Sequence, residues 1–229
     1  NCWMRGMNGT IPWQSGNGGE NTVTGAEGND VIVGSGGTDQ LVGGIGDDTY
    51  VPSSVDQTLA ENADEGIDTV SFADFGQPGT LSLGANIENA TGSAYADTLT
   101  GNTLANAIVG GGGNDTLDGA AGVDQIAGGA GDDSIAVDAT SDVVSGGSGT
   151  DTVRAAASFV LGADVENGVL LGTGPFSLTG NDLPNVLSGN DAANVMSGGG
   201  GSDVLNGGAG VDKLVGGAGR DTISGDGGK

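Results

Sequence analysis

A nine-residue period constrains this chain more than any other feature of its sequence. Cut into nines from Gly198, it reads GGGGSDVLN, GGAGVDKLV and GGAGRDTIS, or G-G-x-G-x-D-x-U-x with U a large apolar residue. The same frame covers 25–51, with Asp30, Asp39 and Asp48 in the sixth place and Ile32, Leu41 and Tyr50 in the eighth. From Gly92 to Arg154 the sixth places are Asp97, Asn106, Asp115, Asp124, Asp133, Asp142 and Asp151. The matching eighth places are Leu99, Ile108, Leu117, Ile126, Ile135, Val144 and Val153. A third block, 180–224, has Asn185, Asn194, Asp203, Asp212 and Asp221 with Leu187, Met196, Leu205, Leu214 and Ile223. Composition alone, 50 Gly in 229 residues and 3% aromatic, reads as low-complexity or disordered. A disordered tract would not keep an acid and an apolar residue in phase over such a length.

Residue types give the period a shape. Gly at the first, second and fourth places permits positive φ and close backbone approach, as a tight turn needs. The last three residues, as in Thr116-Leu117-Asp118, read as a short strand with its central side chain turned inward. A turn and a strand make half a coil, so two repeats make one coil, and successive strands stack roughly 4.8 Å apart. The resulting core is thin, and ordering so much Gly is costly in entropy. Something besides apolar burial must hold the coils together.

Charge points to what that is. There are 30 Asp plus Glu against 5 Lys plus Arg and no His, a formal net charge of −25. Such a chain repels nucleic-acid backbones and anionic membrane surfaces. Loops on one side of the roll recur every second repeat, so Asp115 lies over Asp133 and Asp133 over Asp151. Unpaired, these carboxylates repel. A hard cation between successive loops reverses the sign, taking carboxylate oxygens from the Asp residues and carbonyls from the Gly-rich turns. All-oxygen ligation of flexible geometry suits Ca²⁺ better than Mg²⁺, and soft metals find no ligands here. The expected ligands are Asp30, Asp39, Asp48, Asp97, Asp115, Asp124, Asp133, Asp142, Asp151, Asp203, Asp212 and Asp221. Asp115/Asp133 and Asp203/Asp221, with full Gly-rich loops, should be the best pairs, and Asp142, preceded by Val137-Asp138-Ala139-Thr140-Ser141, a poorer one. For Asn106, Asn185 and Asn194 two roles stand open, cation ligation and metal-free laddering of the roll.

Other chemistries are poorly supplied. One Cys, Cys2, excludes an internal disulfide framework, and the lack of His removes the usual general base and the Ser-His-Asp triad. Neither G-x-S-x-G nor H-E-x-x-H occurs, so any catalysis is expected outside this stretch. No apolar run approaches membrane-spanning length, which argues against membrane insertion.

Two stretches, 52–91 and 155–179, interrupt the period. Each follows Gly-x-Asp-Thr-Val and carries Leu-Gly-Ala-x-[Ile/Val]-Glu-Asn, at Leu83–Asn89 and Leu161–Asn167, as if a larger unit were duplicated. Glu88 and Glu166 read as satisfied acids in irregular coils that continue the roll. Segment 1–24, with Cys2, Trp3 and Trp13, reads as a cap or as the remnant of an upstream domain, and it has no apolar signal-peptide core. The absence of an initial Met and the stop inside a turn at 225–229 suggest an excised or truncated piece.

From about 25 to 225 these repeats resemble the RTX domain of Gram-negative proteins exported by type I secretion. The resemblance implies an all-β, right-handed parallel β-roll (a β-solenoid) with two nonapeptides per coil, binding several Ca²⁺ ions. It also implies a secreted, extracellular module that is unfolded in the calcium-poor cytosol and folds outside the cell, structuring a larger parent chain. By the standard of extracellular calcium modules, affinities of order 10⁻⁴–10⁻³ M are expected. The rival readings are an adhesive or structural spacer, and the non-catalytic tail of a secreted enzyme or toxin, with other domains or a cell surface as partner. An ice-binding role would want an unbroken Thr array, whereas the outward positions Thr116, Gln125, Ser134 and Val143 are mixed.

Overall fold

The computed structural model describes residues 3–5, 14–15, 17–53, 57–63 and 65–225. Over these residues it is a parallel β-roll of about 11 turns with no helix. Strands alternate between two faces, and every pairing is to the strand one coil away. On one face Leu99 aligns with Leu117, Leu117 with Ile135 and Ile135 with Val153. On the other, Ile108 aligns with Ile126 and Ile126 with Val144. The eighth-place residues therefore stack on like residues, and from Ile32 to Leu205 all those named above are buried. Ile223 is 48% exposed, because the strand Thr222–Ser224 has a neighbour on one side only.

Each face is built of two sheets, so each is broken once. On the first face Thr58–Ala60 pairs only with Gln40–Ile45, and Thr80–Ser82 only with Thr98–Thr100. The other face runs through the same region intact, from Thr49–Val51 to Thr69–Ser71 to Asn89–Thr91. At the second interruption the roles exchange. Val143–Ser148 has no onward partner, while Thr152–Ala155, Asn167–Leu170 and Val186–Ser188 continue the opposite face. One unbroken ladder thus carries the roll across each irregular segment.

The breaks are filled with bulk that the thin regular core lacks. All four Phe of the chain lie in them: Phe72 and Phe159 are buried, and Phe75 and Phe176 pack against the core. The rings of Phe72 and Phe75 are 5.1 Å apart. Leu83, Ile87, Leu161 and Val165, from the duplicated Leu-Gly-Ala motif, are buried beside them.

Part of segment 1–24 belongs to the roll. Trp3–Arg5 pairs with Thr22–Glu27, and Gln14–Ser15 with Val31–Val33. Cys2 and Trp13 lie outside the described residues, as do 226–229. The outward positions also sort differently from a linear reading, because consecutive strands lie on opposite faces. Thr80, Thr98, Thr116, Ser134 and Thr152 align as one hydroxyl row on one face, while Gln125 and Val143 belong to the other.

Candidate metal centre

The sixth-place side chains form hydrogen-bonded ladders along both edges of the roll. In each step the backbone N–H of one Asp donates to Oδ1 of the Asp 18 residues on. Asp30 donates to Asp48, Asp97 to Asp115, Asp115 to Asp133, Asp124 to Asp142, Asp133 to Asp151 and Asp203 to Asp221, at 2.7 to 3.1 Å. All the acid pairs expected from the period are brought together. Geometry explains why: the residue before a strand turns its N–H along the roll axis, and a two-atom side chain one coil away spans the remaining gap.

One oxygen of each carboxylate is thereby used, and the other is the chemically informative one. Oδ2 of Asp48, Asp115, Asp124, Asp133, Asp151, Asp203 and Asp212 is buried with no hydrogen-bond partner. A buried carboxylate oxygen without a donor is costly. Burial pushes the carboxyls of Asp48 and Asp115 up to about 6, the laddered N–H opposing and the neighbouring acids adding. Asp124, Asp133 and Asp151 are raised for the same leading reason.

The first-place glycines show what surrounds these oxygens. A Cβ on Gly128 would lie within 3.0 Å of both Asp133 Oδ2 and the Gly146 carbonyl oxygen. Gly110, Gly146 and Gly198 are framed in the same way, each by the Oδ2 of its own loop and a backbone carbonyl of the next coil. Carboxylate and carbonyl oxygens therefore converge over each first-place glycine, a hard all-oxygen donor set that fits calcium.

Not every expected ligand has an oxygen to spare. Asp39 has amide neighbours in place of a second acid: Oδ1 accepts from Asn21 and Oδ2 from Gln57 Nε2. Asp97 accepts from Gly79 N–H on one oxygen and from Ser93 on the other. Asp142 accepts from Asp124 N–H and from Ala139 N–H, the latter inside the loop that lacks glycines. Asp212 keeps a free Oδ2, but its ladder neighbour is Asn194.

The Asn loops are closed by their own amides. Asn106 Nδ2 donates to the Glu88 carbonyl, Asn185 Nδ2 to those of Val165 and Glu166, and Asn194 Nδ2 to that of Phe176. A second Asn four residues earlier completes each loop. Asn102 Nδ2 reaches the carbonyls of Gly84 and Ile87, Asn181 Nδ2 those of Gly162 and Val165, and Asn190 Nδ2 those of Leu171 and Gly174. These amide N–H groups satisfy carbonyls that the Asp loops leave to other partners, so the geometry favours metal-free laddering here.

Several residues of the ladder escape the nine-residue count. Asp68 takes the N–H of Asp48 at 2.8 Å although it stands 20 residues on. Glu88 and Glu166 take the ladder place in the two interruptions, accepting from Asp68 and Asp151 at 2.8 Å. Asn21 adds one more step before the first block. The shared Leu-Gly-Ala-x-[Ile/Val]-Glu-Asn motif is the signal that could have placed both Glu residues in register.

The fold and the ladder together define a calcium-binding repeat module. The family model of the RTX calcium-binding nonapeptide repeat matches residues 15–50, overlapping windows spanning 84–153, and 179–229. These cover more than half of the chain, which therefore belongs to that family of calcium-binding repeats. A comparison with curated proteins finds no match.

Proposed function

We propose that this chain is a calcium-dependent folding module: unstructured where calcium is scarce, it folds into the roll on meeting extracellular calcium. In this role it would assist the export of a larger secreted bacterial protein and structure it outside the cell. The observation that carries the reading is the file of buried, partnerless Oδ2 atoms along the Asp ladders. Their mutual repulsion and desolvation oppose folding until a divalent cation offsets both. The ligands assigned are the Asp residues with a free oxygen facing a first-place glycine, Asp115, Asp133, Asp151 and Asp203 foremost. No catalytic role is assigned to the chain.

Far-UV circular dichroism during a calcium titration of the chelator-treated chain tests this, with magnesium as control. A cooperative coil-to-β transition with calcium alone is expected. A β signal already present in chelator and unmoved by calcium would overturn the proposal and leave a metal-independent structural spacer.

A further inference from the structure

One cluster departs from the nonapeptide pattern. Counted in nines from Gly43, Glu61 stands at a first place, where the regular loops carry Gly. Its side chain reaches back to loop 43–48. The Tyr50 hydroxyl accepts from Gly43 N–H at 2.7 Å and donates to Glu61 Oε1. Asp48 Oδ1 is occupied by Asp30 N–H, and Asp68 Oδ1 by Asp48 N–H. The second oxygen of each, Glu61 Oε2, Asp48 Oδ2 and Asp68 Oδ2, is buried without a hydrogen-bond partner. Asp48 and Asp68 are 1% and 0% exposed. One oxygen from each of the three lies within 4.8 Å of the other two, and among the described residues this is the one group of three metal-ligating side chains so placed.

We propose that Asp48, Glu61 and Asp68 hold one calcium ion in a three-carboxylate site that fills before the two-carboxylate steps of the ladder. Each side chain is anchored through one oxygen and presents the other, so the site is largely formed before the ion arrives. A spread of up to 4.8 Å suits calcium, whose opposed ligands stand about 5 Å apart, better than magnesium, whose opposed ligands stand about 4 Å apart. A third charge strengthens the attraction over that of a regular step. The site also has a place in the architecture. It joins loop 43–48 to the residue following Thr58–Ala60, the strand at which one face loses its ladder, and to the next coil of the intact face. The ion clamps the first break. Its rank over the ladder rests on the proposed function above; the three-carboxylate site itself does not.

Tyr50, hydrogen bonded to a ligand, makes the site separately readable. Terbium(III), a hard cation that replaces calcium and emits when a nearby aromatic ring is excited, is titrated into the calcium-free full chain. Emission should rise with the first equivalent, be largely lost in Tyr50→Phe and persist in Tyr95→Phe. Glu61→Gln should raise the terbium concentration at half-emission about tenfold or more, with circular dichroism at saturating calcium reporting that the roll still forms. An unchanged midpoint in Glu61→Gln, or full emission in Tyr50→Phe, would overturn the site. Should Glu61→Gln not fold, Tyr50→Phe decides, since it leaves all three carboxylates in place. A parent chain that folds with calcium but gives no aromatic-sensitised emission sinks this site and leaves the ladder standing. Emission lost in Tyr50→Phe, without any folding transition, keeps the site and sinks the folding module.

Discussion

The backbone N–H of Asp115 donates to Oδ1 of Asp133 at 2.8 Å, and Oδ2 of Asp133 is left buried with no partner. The two oxygens of one carboxylate thus have separate tasks, one joining coils through the backbone and one facing a cation. Asparagine can perform the first task and not the second. Asp133→Asn should still fold at saturating calcium, but its calcium midpoint by circular dichroism should rise several-fold, to about tenfold. In chelator it should be no less folded than the parent, because one buried charge is gone. Asp133→Ala loses both tasks, and leaving the Asp115 N–H unpaired should cost a further 1–3 kcal/mol or so in urea denaturation with calcium. Equal calcium midpoints for parent and Asp133→Asn would remove this residue from the ligand set.

Acid should partly replace calcium. Burial raises the carboxyls of Asp48, Asp68 and Asp115 to about 6 and Glu61 to about 7. In an unfolded chain such groups titrate near pH 4. A carboxyl whose pKa is raised by folding stabilises the fold when protonated: the contribution is complete below about pH 4 and is lost as pH rises through about 6 to 7. In chelator, the β signal should therefore be greatest near pH 4 and decline towards neutrality. Calcium acts in the opposite sense, since it needs deprotonated ligands, and its midpoint should fall as pH rises over the same window. A metal-free signal independent of pH from 4 to 7 would contradict the burial of these acids.

Much of this was legible in the sequence because period and position carry it. Asp115, Asp133 and Asp151 stack as a count of two repeats per coil requires, and Leu117, Ile135 and Val153 stack beneath the same strands. What counting could not reach lies where coil length changes. Asp68 is 20 residues from Asp48, and Glu166 is 15 from Asp151, so their ladder places follow from the packing of Phe72, Phe159 and their neighbours. The state of individual oxygens was equally hidden. Asp39 and Asp133 occupy the same place in the nonapeptide, yet Asp39 is flanked by the amides of Asn21 and Gln57. Linear reading also merged the two faces, and so missed the hydroxyl row from Thr80 to Thr152.

The Asn loops should be strongest where the Asp loops are weakest, in the absence of calcium. Asn181 Nδ2 donates to the carbonyls of Gly162 and Val165, and its backbone N–H donates to Asn185 Oδ1. Asn181→Ala strands two carbonyls beside the second interruption, and a loss of about 1–3 kcal/mol is expected in urea denaturation, the same at low and saturating calcium. Asn185→Asp is the sharper test. It removes the donors to Val165 and Glu166 and sets a carboxylate against Asp203, so the calcium-free chain should unfold more readily while added calcium restores part of the loss. Calcium-independent behaviour of Asn185→Asp would mean that the loop cannot be converted to a cation site by charge alone.

The glycines offer the cleanest separation of shape from charge. At Gly128, a Cβ would intrude within 3.0 Å of Asp133 Oδ2 and of the Gly146 carbonyl, the space assigned to the ion. At Gly129 the obstacle includes the backbone itself, since φ is +113° and a Cβ would strike the Gly111 carbonyl one coil away. Gly112, at the third place, has normal φ and nothing closer than 3.6 Å, and Ala130 and Ala218 hold the equivalent place in other coils. Gly112→Ala should therefore fold with an unchanged calcium midpoint, or gain slightly, by up to about 1 kcal/mol, from the reduced freedom of its unfolded chain. Gly129→Ala should lose stability whether or not calcium is present, by more than that amount. Gly128→Ala should lose most of its stability at saturating calcium, because the methyl displaces the ligand oxygens rather than the backbone. If Gly128→Ala and Gly129→Ala responded alike to calcium, the space over the first-place glycine would be serving the turn and not the ion.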